Sequence, residues 1–166
     1  MPTHLIHRGL AKKNFKENTI SAFKHCFKKN YGIETDIQCT KDDKIVCFHD
    51  FNLKKKFKIN KKIKDLNYKE IRKISLKFNS EVPLLDDLLK LNKGKFPLMI
   101  ELKPIFSKKN LISLINKIKK LNYEEIRKIS LKFNSEIPLL DDLLKLNRSK
   151  FPLMIELKTI FAKKNL

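Results

Sequence analysis

Apolar and polar residues alternate along this chain in short segments whose period switches between two and about 3.6. His4 to His7 reads as a short strand. Asn18 or Thr19 is placed to cap a helix in which Ile20, Phe23 and Phe27 share one face, with Gly32 closing it. Ile33 to Thr40 follows as a strand, and Asp42-Asp43 turns the chain into a third, Ile45 to His49. Aspartate tolerates the left-handed conformation such a turn needs. Leu66 to Ile74 reads as helical, and Leu84, Leu85, Leu88, Leu89 and Leu91 mark an amphipathic core-facing helix after Pro83. Phe96 to Leu102 is a nearly continuous apolar run, the pattern of a strand buried on both faces of a parallel sheet. Leu111 to Ile118 is again helical. Strands alternating with helices predict an α/β fold with a mainly parallel sheet of about four to five strands.

The second half repeats the first. Residues 62–111 and 117–166 align without gaps and differ at seven positions: Asp65/Lys120, Lys69/Glu124, Val82/Ile137, Lys93/Arg148, Gly94/Ser149, Pro104/Thr159 and Ser107/Ala162. Two copies are too few for a solenoid, so the repeat reads as a recent tandem duplication. The copy is expected to repeat the order helix, helix, strand, and its coincidence with the end of the chain suggests a rearranged or truncated product.

Composition narrows the possible functions. Thirty-eight Lys and Arg against 18 Asp and Glu leave a formal charge of +20, yet only Arg8, Arg72, Arg127 and Arg148 are arginines. Lysine excess with 14 Asn and no Trp fits an AT-rich coding bias, with lysines spread over solvated faces. Lys54 to Lys64 is the densest basic stretch, but no specific nucleic-acid partner is expected from charge alone. No apolar run approaches the roughly 20 residues of a membrane span. Met1 to Lys16 lacks the apolar core of a secretory signal. Cys26, Cys39 and Cys47 have no metal-ligand spacing and read as buried apolar residues in a reduced, cytoplasmic setting.

Polar residues cluster where strands end, which is where α/β folds place their sites. His7-Arg8-Gly9 ends the first strand. Glu34 and Asp36, two apart on the second, share a face. His49-Asp50 ends the third, while Glu101 and Lys103 end the fourth. Any one of these alone reads as structural; four strand ends with complementary polar groups do not.

In order and spacing these motifs resemble the glycerophosphodiester phosphodiesterase family. The matching stretches are HRG at 7–9, ENT at 17–19, AF at 22–23, GIETDI at 32–37, TKDD at 40–43, FHD at 48–50, KDLNYKEI at 64–71, VPLLDDLL at 82–89 and IELKP at 100–104. Lys16 departs from the family's usual proline, Asp43 from its turn glycine, and Lys55 from a frequent arginine. The resemblance implies a partial TIM-type β/α barrel, not closed. Residues 1–111 would supply its N-terminal half, and 117–166 the near-identical tandem copy of 62–111.

The resemblance further implies a divalent cation, Mg²⁺ or Ca²⁺, held by Glu34, Asp36 and Glu101, which are hard oxygen ligands. It also implies His7 and His49 as the proton-transfer pair and Arg8 and Lys103 as the substrate-phosphate ligands. The expected reaction converts a small-molecule glycerophosphodiester to sn-glycerol 3-phosphate and an alcohol, in lipid or glycerol metabolism. Glu101 is preferred over its duplicate Glu156 because Pro104 keeps the family's ELKP ending. Two other readings are a catalytically impaired remnant and a lysine-driven binder of anionic surfaces. Self-association of two half-barrels would cover the open sheet edges, although a fifth strand per chain fits an eight-stranded barrel poorly.

Overall fold

A computed structural model describes residues 4–10, 15–103, 106–119, 129–133 and 154–157. Among them the strands are β1 (Leu5–His7), β2 (Gly32–Cys39), β3 (Ile45–Cys47), β4 (Leu98–Leu102), β5 (Ile129–Phe133) and β6 (Met154–Leu157). The α-helices are α1 (Ile20–Lys28), α2 (Lys54–Phe57), α3 (Tyr68–Lys77), α4 (Leu85–Asn92) and α5 (Lys108–Lys119). The sheet runs β1-β2-β4-β5-β6, all neighbours parallel, with β3 pairing antiparallel to β2. Among the described residues it is an open β/α sheet rather than a closed barrel, with six strands where four to five were expected.

Strand alternation splits β2 into two functional faces. Ile33, Ile37 and Cys39 join the core beneath α1 and α4, with Phe23, Leu85 and Leu88. Residues 34, 36 and 38 fall on the opposite face by the same period. In β4, Leu98, Ile100 and Leu102 join that core, leaving 99 and 101 for the other face. A second cluster, including Val46, Phe48, Leu53, Phe57, Ile71 and Val82, packs the segment after β3 into place.

Two expectations change. The helix α1 ends at Lys28, and Asn30 (φ 61°), not Gly32, takes the left-handed position after it. Gly32 instead opens β2 where strands crowd: a Cβ there would meet the Pro97 carbonyl oxygen at 2.7 Å and Leu5 Cδ2 at 2.8 Å. The duplicated copy also departs from its template. ISLKF forms the last turn of α3 and its cap at 74–78, yet the same five residues at 129–133 are β5. After α5 the chain returns beside β4, whose ladder groups are satisfied only by another strand, and ISLKF carries apolar residues at both helical and strand spacing. The strand expected within 117–166 is present as β6, while 120–128, 134–153 and 158–166 of the copy lie outside the described residues.

Candidate active site

Backbone register brings the strand-end residues together. His7 pairs with Glu34 across β1 and β2, and Asp36 with Glu101 across β2 and β4. Carboxylate oxygens of Glu34, Asp36 and Glu101 consequently lie within 4.8 Å of one another, and all three residues are buried. Burial, then the neighbouring Asp36 carboxylate and Glu101, pushes the Glu34 carboxyl up to about 7, against the hydrogen bond from the Arg8 amide. Like charges at this spacing call for compensating cations or for a proton on one of the carboxyls.

Two side chains supply that compensation. Lys103 Nζ lies 2.7 Å from Asp36 Oδ1 and 2.7 Å from Glu101 Oε1. Arg8 Nε lies 3.2 Å from Asp36 Oδ2, and its Nη1 donates to Glu17 Oε2 at 2.9 Å. Arg8 stands in the left-handed region (φ 51°), where its amide donates to the Glu34 carbonyl at 2.9 Å. Gly9 follows at φ 70°, and a Cβ there would meet the Phe23 ring at 2.9 Å, so the turn after β1 requires glycine.

Both expected histidines border this cluster. His7 Nε2 is 3.9 Å from Glu34 Oε2, and burial followed by the Arg8 charge holds its imidazole below the ordinary histidine range. His49 Nδ1 is 2.8 Å from Asp50 Oδ1. A carboxylate there selects the Nδ1–H tautomer, leaving Nε2 as the basic nitrogen. The remaining histidines stand apart: His4 meets the Tyr31 ring and His25 the Phe15 ring.

Four residues that the sequence reading did not place in the site complete the arrangement. Glu17 anchors Arg8; Asn18 (φ 49°) donates to Asp36 Oδ2 at 3.4 Å and accepts from Thr35 Oγ1 at 2.8 Å. Asp50 orients His49. Gln38 Nε2 lies 2.8, 3.1 and 2.8 Å from the carbonyl oxygens of Phe48, His49 and Asp50, clamping the histidine loop to β2. Strand period already placed Gln38 with Glu34 and Asp36, and that was the available signal.

A donor set of three carboxylates and no sulfur or imidazole fits a hard dication such as Mg²⁺ or Ca²⁺. With Glu17, Arg8, Lys103 and a dication included, the formal charge of the cluster is zero, so a phosphodiester anion would not be repelled.

An open β/α sheet that gathers acidic, basic and imidazole groups around β1, β2 and β4 defines a β/α-barrel-type fold with a polar site. The glycerophosphoryl diester phosphodiesterase family model matches residues 7–164, and the chain belongs to that family. A Bacillus altitudinis glycerophosphodiester phosphodiesterase is 36% identical over 107 residues, covering 58% of this chain and 43% of the relative. Human lysophospholipase D GDPD1 is 32% identical over 166 residues, covering 82% and 50%. The chain spans about half the length of these curated relatives. Among solved structures, a putative glycerophosphodiester phosphodiesterase from Galdieria sulphuraria superposes with TM-score 0.77 at 22% identity, covering 93% of this chain and 64% of that one. A phosphodiesterase from Oleispira antarctica in complex with the product sn-glycerol-3-phosphate gives TM-score 0.73 at 17% identity, covering 93% and 66%. These structural likenesses carry the barrel-type fold.

Proposed function

We propose that this chain binds a divalent cation through Glu34, Asp36 and Glu101 and hydrolyses glycerophosphodiesters to sn-glycerol 3-phosphate and an alcohol. The convergence of those three carboxylates beside Arg8 and Lys103 carries the reading. Family membership supports it, as does the product named for the Oleispira antarctica structure. When bound, the cation supplies Lewis-acid polarisation of a phosphoryl oxygen. Arg8 presents a planar fork to the phosphate, and Lys103 a point charge beside the carboxylates. One imidazole of the His7/His49 pair accepts the proton of the attacking oxygen. The other protonates the departing alkoxide as the P–O bond breaks. Asp50 fixes the tautomer of His49, and Gln38 fixes the loop that carries it.

The test is release of sn-glycerol 3-phosphate from glycerophosphocholine with Mg²⁺, Ca²⁺ or neither. Turnover that requires metal and disappears in His7→Ala and Glu34→Ala is expected. A folded chain inactive under every divalent metal would overturn the hydrolase reading.

A further inference from the structure

A cavity of about 380 Å³ meets the site through Glu17 and Asp50, and its other lining residues have no part in the chemistry above. Its volume falls within the range of about 300–1,000 Å³ typical of small-molecule pockets. Lys16, Lys55, Lys56, Phe57, Phe78 and Ser80 line it, and Glu17 and Asp50 form the wall it shares with the site. The two carboxylates are engaged: Glu17 with Arg8 at 2.9 Å, Asp50 with His49 at 2.8 Å. The ammonium groups retain donors. Lys56 Nζ donates to the Glu17 carbonyl at 2.8 Å, and Lys16 Nζ to the carbonyls of Phe78 at 2.6 Å and Asn79 at 3.3 Å. Each ammonium carries three N–H donors.

Two observations point to a ligand. The Ser80 hydroxyl is buried, its residue 3% exposed, and has no hydrogen-bond partner among the described residues. Such a group is unfavourable unless something meets it. Ser80 and Lys16 also line an adjoining cavity of about 430 Å³, so both spaces border Ser80. In addition, Lys56 Nζ is held 5.5 Å from the Phe48 ring centroid and 5.8 Å from that of Phe57. Burial pushes its ammonium down to about 8, against the pull of Glu17. A desolvated cation of this kind interacts strongly with an anion and repels a quaternary ammonium.

We propose that this cavity is an anion subsite, which receives a second negatively charged group, a phosphate or carboxylate, on the alcohol half of the diester. The assignment rests on the phosphodiesterase reading and narrows its substrate class: phosphorylated or carboxylated alcohols are preferred to choline. Lys56 and Lys16 bind the anion, and the Ser80 hydroxyl donates to it.

The probe is myo-inositol 4-phosphate, titrated calorimetrically against the full chain in EDTA, which keeps the carboxylate cluster out of the measurement. Saturable binding weakened at least tenfold by Lys56→Met, and severalfold by Lys16→Met or Ser80→Ala, is expected. Lys16 is exposed, so its variant tests the idea even where Lys56→Met disturbs folding. Absence of saturable binding, or equal affinity in the lysine variants, overturns the subsite. In turnover, the preference in kcat/KM for glycerophosphoinositol 4-phosphate over glycerophosphocholine should fall at least tenfold in Lys56→Met; an unchanged preference counts against it. Binding in a chain that hydrolyses nothing would sustain the subsite and sink the phosphodiesterase reading, whereas hydrolysis without binding would do the reverse.

Discussion

The Lys103 ammonium lies 2.7 Å from Oδ1 of Asp36, a contact formed between two buried side chains. Lys103 follows the end of β4 and Asp36 lies inside β2, so the pair ties adjacent strands where three carboxylates converge. It works as an internal counter-ion whose partners are the proposed ligands of a second, removable cation.

Lys103→Met should therefore destabilise the metal-free chain by on the order of 3–5 kcal/mol, because it leaves buried carboxylates uncompensated. Melting would fall by on the order of 10 °C. Divalent metal should recover more of this loss in the variant than it adds to the parent chain, since it restores the missing positive charge. Thermal melts with and without Ca²⁺ provide the comparison. An equal metal increment in both proteins would contradict the counter-ion role.

Gln38 should matter for turnover without touching the phosphate. Gln38→Leu removes the donor that faces three loop carbonyls around His49, a loss of about 1–3 kcal/mol per buried group left unsatisfied. The expected result is a drop in kcat of about tenfold to a hundredfold with KM little changed, measured on glycerophosphocholine. A variant with parental kcat would show that His49 is positioned by Asp50 alone.

Much of the site was legible because strand period is strict. Glu34 and Asp36 inside β2, or Glu101 and Lys103 at the end of β4, are two apart and have only one face to share. What stayed hidden depends on partners distant in sequence. Glu17 has no role in the sequence beyond the ENT stretch until Arg8 folds against it, and Gly32 reads as a helix stop until Pro97 is brought to its Cα. The pentapeptide ISLKF shows the limit most clearly. It is helical at 74–78, where Ser75 packs under the Val82 amide, and extended at 129–133, where β4 offers a ladder. Local sequence is identical in both places, so tertiary context alone decides.

Acid should loosen α5 through Asp43. Hydrogen bonds from Lys109 at 2.6 Å and Asn110 at 2.9 Å hold this carboxyl below the usual aspartate range. A depressed folded value means the contribution is complete above the unfolded value of about 4 and lost as pH falls through the folded one. Amide exchange in α5 should accelerate below about pH 4 in the parent chain, beyond the intrinsic trend. Asp43→Asn should show fast exchange at every pH. Identical profiles would remove Asp43 as the latch.

The cysteines should be silent in the folded chain. Burial pushes the Cys39 and Cys47 thiols up to about 12, and Cys26 is fully buried. Thiolate is the reactive form, so almost none exists at pH 8. A disulfide reagent should titrate no thiol in native protein and all three after denaturation. Rapid native reaction would mean that the core beneath His49 opens.

Duplication makes the third proposed metal ligand a discriminating test. Glu101 and Glu156 sit in identical LMIEL segments, so local sequence cannot separate them. Register can: Asp36 pairs with Glu101, Glu101 with Lys132, and Lys132 with Glu156, which places Glu156 two strands further from Asp36. At about 4.8 Å between adjacent strands, that is roughly 10 Å beyond Glu101, too far for both to bind one ion at carboxylate–metal distances of about 2.0–2.6 Å. Glu101→Gln should lower metal-dependent hydrolysis at least a hundredfold and weaken Ca²⁺ binding in calorimetry. Glu156→Gln should leave both within about twofold. The reverse outcome, with Glu156 essential and Glu101 dispensable, would mean that the second copy of the strand, not the first, completes the site in solution.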